Sequence, residues 1–241
     1  MRHLLALVAL LFGLNALAAD YARERKWADE VLPSVLTGDP VWLSQANGHQ
    51  FLGLYTRASP AKAGVILIHG IGVHPDWGLI STLRQQLPEA GYATLSIQMP
   101  VLKADAKTDD YPPTFDESAE RIRLAVAFLK DQGYQKVAVV AHSLGTRMSY
   151  HYFGRTPDTP VAAWVAVSAP AALDMAKLKM PVFDLYGQND LPQVVDNAGK
   201  RAAGLKQKGS TQAVVPGADH FFEGKDAALL ERVRGWLDQT L

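Results

Sequence analysis

An α/β domain, with a mostly parallel sheet covered by helices on both faces, is the fold class this sequence predicts. Three observations predict it. Short runs at 65–69, 136–141, 161–167 and 182–186 are apolar on both sides rather than alternating. Segments with helical periodicity separate these runs, and strands buried on both faces belong to parallel sheets between helical layers. The third observation is size: 241 residues, 48% hydrophobic and 20% charged, suit one ordinary domain with a real core.

The N-terminus stands apart from that domain. Arg2 and His3 precede an apolar run at 4–14, and Ala16-Leu17-Ala18-Ala19 follows. A short basic start, an apolar core and an A-x-A ending read as a cleavable secretory leader over 1–19, cut after Ala18 or Ala19. An apolar run of 11 residues is too short to span the roughly 30 Å of a bilayer's hydrocarbon. With no Cys at the cleavage site, lipid anchoring is not available. The expected product is a periplasmic or secreted protein with no stable membrane span, folded as a single domain over 20–241.

Along that domain the elements follow in order. Residues 21–31 are helix-compatible, and 41–44 and 50–56 are alternating runs around Ala46-Asn47-Gly48, a strong hairpin signal. After a loop at 57–64, the 65–69 strand ends at Gly70, and Asp76 can cap a helix through 87. A strand at 92–98 is ended by Pro100, and 103–113 is a polar loop. Thr114-Phe115-Asp116-Glu117 has the capping-box pattern for a helix to 132. The 136–141, 161–167 and 182–186 strands come next, then a helix-like 191–206, a last strand at 211–215 and a closing helix at 226–239.

Composition excludes several function classes. Lys plus Arg equals Asp plus Glu at 24 each, so no basic footprint for nucleic acid is present. The absence of Cys excludes disulfides, thiolate catalysis and Cys-based metal sites. No His and carboxylate spacing suits a metal, and no cofactor motif is found.

The most informative stretch is Ala141-His142-Ser143-Leu144-Gly145, between the 136–141 strand and a helix-like segment at 146–153. A small residue, x, Ser, x, Gly in that context is the pattern of a nucleophile elbow. The turn is sterically tight, so the positions two before and two after Ser143 must be small. Ala141 departs from the usual Gly but is small enough. A serine hydroxyl needs a general base in reach, and the base needs an orienting carboxylate. The order Ser, Asp, His is supplied by Ser143, by Asp190 in Tyr186-Gly187-Gln188-Asn189-Asp190, and by His220 in Pro216-Gly217-Ala218-Asp219-His220. Asp184, within its strand, competes with Asp190 for the acid role, and Asp219 beside His220 is expected to point elsewhere. His142 is expected to pack.

Together with Leu67-Ile68-His69-Gly70-Ile71-Gly72, these segments make the chain resemble an α/β-hydrolase. The continuation Gly72-Val73-His74-Pro75-Asp76-Trp77 is similar to a poorly characterised group of exported bacterial α/β-hydrolase-like proteins. The resemblance implies Ser143 as nucleophile, His220 as base and Asp190 as acid. It also implies an oxyanion hole from the Ile71 N–H, with the Leu144 N–H at the elbow helix as the other donor. His69 is expected to brace the oxyanion loop; His74 and Trp77 are candidates for lining the pocket, with Asp76 as a plain helix N-cap the leading role for that segment.

Only 47 positions separate Ser143 from Asp190, which leaves no room for a cap domain. The expected site is open, bounded by loops at 103–113 and 169–180, and suits a small-molecule ester or thioester, or an acyl group on a larger molecule. The leading expectation is an exported carboxylesterase-like serine hydrolase. An acyltransferase on the same triad, or a non-catalytic scaffold that binds, are the other readings.

Overall fold

The structure is a computed structural model that describes residues 19–241. The leader expected at 1–19 lies outside the described residues, apart from Ala19. Helix α1 (Tyr21–Val31) comes first, then the hairpin β1 (Asp39–Ser44) and β2 (Gln50–Thr56). The hairpin turn rests on Asn47, whose Oδ1 accepts the His49 N–H at 2.9 Å, and on Gly48 at φ 85°. Beyond it run β3 (Ala63–Ile68), α2 (Gly78–Gln86), β4 (Tyr92–Ile97), α3 (Phe115–Asp131), β5 (Val137–His142) and α4 (Leu144–Arg155). The chain closes with β6 (Val161–Val167), β7 (Val182–Gly187), α5 (Pro192–Ala203), β8 (Thr211–Val215) and α6 (Asp226–Thr240).

The eight strands of the described residues form one sheet in the order β1-β2-β4-β3-β5-β6-β7-β8. The β1/β2 and β2/β4 pairs are antiparallel, and every other pair is parallel. Side chains alternate across the sheet as strand geometry requires. Ile66, Ile68, Val139 and Ala141 pack against α3 and α4 through Ile122, Leu129, Met148 and Tyr152. Val65, Leu67, Ala138 and Val140 pack on the other face against α2 and α6 through Leu83, Leu229, Val233 and Leu237. A one-residue slip of β3 or β5 would exchange these two sets, so both faces fix the register. Between β6 and β7 lie only residues 168–181, with one short turn of helix, so no cap domain is inserted there.

Two helix starts differ from the sequence expectation. Asp76 does not cap α2, whose N-cap is Trp77. Its carboxylate instead accepts from the buried Arg84 at 2.7 and 3.0 Å and from Ser81 at 2.7 Å. A buried guanidinium without a counter-charge is costly, and that need captures Asp76. The capping box at Thr114 does not form either. Thr114 Oγ1 donates to the Tyr111 carbonyl, and Glu117 pairs with Arg121. Among the described residues, no helix is long and apolar enough to cross a membrane.

Candidate active site

The C-terminal ends of β3, β5, β6 and β7 open onto one crevice, the edge where ligands bind in open α/β sheets. At the end of β5 the chain turns sharply into α4. Ser143 forms that turn with φ 52° and ψ −122°, and its N–H donates to the Val167 carbonyl at 2.9 Å. The turn brings α4 so close to β3 that a Cβ on Gly145 would lie 2.6 Å from the His69 carbonyl oxygen. Only glycine fits there, and Ala141, fully buried, shows that alanine suffices at the position before the turn.

From Ser143 a chain of hydrogen bonds runs across the crevice. His220 Nε2 lies 3.0 Å from Ser143 Oγ, and His220 Nδ1 lies 2.6 Å from Asp190 Oδ1. With Nδ1–H donating to the carboxylate, Nε2 is left to accept the serine proton. Asp190 is itself held on both oxygens. Oδ1 accepts the Leu191 N–H at 2.8 Å, while Oδ2 accepts the Ser168 hydroxyl at 2.5 Å and the Gly187 N–H at 3.2 Å. Burial pushes its carboxyl up, but the bonds from His220 and Ser168 outweigh that and hold it below the ordinary carboxylate value.

Asp184 has a different partner. It sits within β7, fully buried, and faces Arg201 of α5 at 2.9 Å with Gln212 at 2.6 Å. Asp219 turns back on its own loop, accepting the Phe221 and Glu223 N–H groups.

Backbone strain is concentrated at this place. The non-glycine residues with positive φ among the described residues are Ser143, Ser168 and Phe222, at 52°, 53° and 57°. One is the elbow, one holds Asp190, and one follows His220 closely. Such backbone costs of order 1–3 kcal/mol each and persists where the surroundings over-determine it.

Beside the elbow, the loop after β3 presents its backbone to the crevice. His69 is the brace under it. His69 Nε2 accepts the Met99 N–H at 2.9 Å, which leaves the proton on Nδ1, bonded to the Gly70 carbonyl at 2.8 Å. Burial lowers its pKa to about 3, so it stays neutral and keeps this tautomer. Carbonyl and N–H point oppositely across a trans peptide. Fixing the Gly70 carbonyl therefore aims the Ile71 N–H the other way. The Leu144 N–H, at the first residue of α4, is among the N–H groups that a helix leaves without an internal partner.

His142 does more than pack. Its Nε2–H donates to the His220 carbonyl at 2.9 Å, and the two rings lie 4.9 Å apart. Burial, then the neighbouring His220, lower its pKa to about 4.

A cavity of about 290 Å³ lies over Ser143 and His220. Ile71, Val73, Trp77, Pro170, Leu191 and Phe221 supply its apolar wall, with Thr108 and Gln193 as polar members. Trp77 meets Phe221 edge-on at 5.4 Å. His74 is not in that wall; it faces Trp27 of α1 at 5.8 Å. Leu191 and Phe221 remain 39% and 45% exposed, so the mouth is open and greasy. Among the described residues, no group of three or more His, Asp or Glu side chains is arranged to hold a metal ion.

Ser168 and the rim residue Phe221 were not singled out from sequence. A serine just past an apolar strand is the only signal for Ser168, and it is a weak one.

Solved structures share this architecture. Dienelactone hydrolase from Anabaena variabilis superposes with a TM-score of 0.70 at 23% identity, over 84% of this chain and 97% of that one. An esterase from Pyrococcus furiosus gives 0.64 at 15% identity, over 84% and 92%. An α/β serine hydrolase without a lid, from Xanthomonas campestris, gives 0.64 at 16% identity, over 86% and 96%. No curated protein matches the chain. One family profile, described as a protein of unknown function (DUF3530), matches residues 18–119 and 103–239. The chain thus belongs to the DUF3530 family, and its fold is that of the α/β hydrolases.

Proposed function

We propose that this protein is an exported serine hydrolase that cleaves an ester or thioester through an acyl-enzyme. The observation that carries the reading is the unbroken chain from Ser143 Oγ through His220 to Asp190 beneath an apolar crevice. In this reading Ser143 Oγ attacks the acyl carbon as its proton passes to His220 Nε2. The tetrahedral oxyanion takes the Ile71 and Leu144 N–H groups, each such donor lowering the barrier by about 3 kcal/mol. Collapse expels the alkoxide or thiolate, which takes the proton from His220. Water, deprotonated by His220, then releases the acid and restores Ser143. Asp190 stays ionised throughout and stabilises the imidazolium. An uncharged acyl group suits the walls of Ile71, Val73 and Trp77. Likeness to esterases and hydrolases of the same fold supports the reaction class. The Ala16-Leu17-Ala18-Ala19 ending supports export.

A fluorophosphonate probe, applied to fractionated cells, tests both parts. The expected result is a labelled species outside the cytoplasm, with an N-terminus at Ala19 or Asp20. Ser143→Ala should lose both labelling and hydrolysis of p-nitrophenyl esters. Undiminished labelling of that variant would place the nucleophile elsewhere, and a labelled species retaining Met1 would refute export by cleavage.

A further inference from the structure

Helix α1 lies before the α/β core in sequence, yet it grips the loop that carries Ile71. Arg23 Nη2 donates to the Gly72 carbonyl at 3.2 Å, and Nη1 donates to the Leu102 carbonyl at 2.7 Å. The buried Tyr111 hydroxyl accepts the Leu102 N–H at 3.2 Å, next to the carbonyl that Arg23 grips. Arg23 is kept in place by Trp27, whose ring lies 4.4 Å beneath the guanidinium. The Asp20 carboxylate accepts the Arg23 N–H at 3.0 Å and so starts the helix at this point.

Gly72 needs such a grip. It has φ +65°, and glycine crosses between backbone basins at little cost. His69 holds the peptide on the N-terminal side of Ile71. Arg23 holds the Gly72 carbonyl on the other side, and is itself tied to Leu102, which Tyr111 also holds. Ile71 thus sits between two held points: His69 sets the plane of the peptide that contains its N–H, and Arg23 sets where the next stretch of the loop lies. A second route leads from α1 to the first clamp. Buried Glu24 holds Arg121 at 2.9 Å, Arg121 donates to the Gln98 carbonyl at 3.0 Å, and the Gln98 amide faces His69 Nε2 at 3.1 Å.

We infer that α1 is a working part of the oxyanion loop and that Arg23 is a positioning residue for the Ile71 N–H. The inference rests on the serine-hydrolase reading above and adds a residue that no elbow or triad motif contains. Arg23 touches no substrate; it acts through the backbone of Gly72.

The test uses the full-length protein with p-nitrophenyl acetate and a fluorophosphonate probe. Arg23→Met keeps the aliphatic stem and removes the fork. It should lower kcat and the labelling rate about tenfold, a part of the 10²–10³ that a lost oxyanion donor costs. KM should stay unchanged, and Tm should move by no more than about 4 °C. Arg23→Lys should recover part of the rate, and millimolar guanidinium should raise kcat of Arg23→Ala but not of wild type. Wild-type kcat in Arg23→Met overturns the inference. So does a joint fall of kcat and Tm with neither guanidinium rescue nor recovery in Arg23→Lys. If Arg23→Met does not fold, Arg23→Lys decides: reduced kcat at unchanged KM supports the inference, and wild-type kcat overturns it. A wild-type protein with neither labelling nor turnover counts against the serine-hydrolase reading instead.

Discussion

Asp184 and Asp190 lie six residues apart around the end of β7, and both are buried, at 0% and 8% exposure. Their surroundings differ in kind. Asp184 is fixed to one face of a strand and faces Arg201, a permanent cation, with Gln212 beside it. Burial pushes its carboxyl up, and those partners only partly offset the rise. Asp190 is past the strand end, where the turn through Gly187 lets it face a titratable partner, His220, while Ser168 and two backbone N–H groups hold it in place. Burial alone therefore does not single out a working carboxylate. Under the proposed serine-hydrolase reading, what matters is whether its charge is committed to a fixed cation or is available to one that would form during the reaction.

The sharpest way to break this comparison is Asp190→Asn. An amide there disfavours the imidazole tautomer that leaves Nε2 free, so kcat for ester hydrolysis should fall about 10⁴-fold, far more than the modest fall in Tm accounts for. The same variant should alter acid stability. The folded-state pKa of Asp190 lies below its ordinary value of 3.8, so the stability it contributes is present above that value and lost as pH falls through the folded one. Unfolding midpoints taken downward from pH 5 should therefore decline less steeply in Asp190→Asn than in wild type. An active Asp190→Asn would move the acid role elsewhere.

Asp184→Asn should do the reverse. It leaves Arg201 buried with no counter-charge, at a cost of about 3 kcal/mol. For a chain of this size that is a fall in Tm of about 10 °C, while kcat measured well below the transition stays near wild type. Loss of activity at unchanged Tm would mean that the two aspartates exchange roles. The smallest effect is expected from Ser168→Ala, which removes one charge-assisted bond to Asp190 worth about 2 kcal/mol. Only part of that should reach the barrier, so kcat should fall about tenfold at unchanged KM. A wild-type kcat would show that the two backbone N–H groups suffice to hold the carboxylate.

The sheet was legible in the sequence where strands are apolar on both sides. The 161–167 run coincides with β6, and the 65–69, 136–141 and 182–186 runs fall within two residues of β3, β5 and β7. Such strands carry their own signal, because both faces must be buried. Helix starts were less legible. Asp76 and Thr114 look like caps locally, but a buried arginine and the Tyr111 carbonyl outcompete the backbone for them. In the crevice, Ser143 was readable from its small neighbours, and the meeting of His220 with Asp190 rather than Asp184 from position relative to a strand end. Ser168 and Arg23 were not. Ser168 meets Asp190 only because the ends of β6 and β7 converge, and Arg23 reaches Gly72 and Leu102 across 49 and 79 residues of sequence. Contacts between side chains and distant carbonyls leave no pattern in a single sequence.

The docking of α1 bears on how the protein should be handled. Asp20 donates its N–H to the Val101 carbonyl at 2.7 Å, and Ala19 is already buried. An affinity handle or carrier fused directly at Ala19 must therefore leave the surface against the 99–102 segment, within one helical turn of Arg23. Kinetics measured on such a fusion would report the fusion as much as the protein itself. The other terminus is a better attachment point: Leu241 follows α6, which packs on the sheet face opposite α3 and α4. A tail added there leaves α1 and the loop it grips untouched.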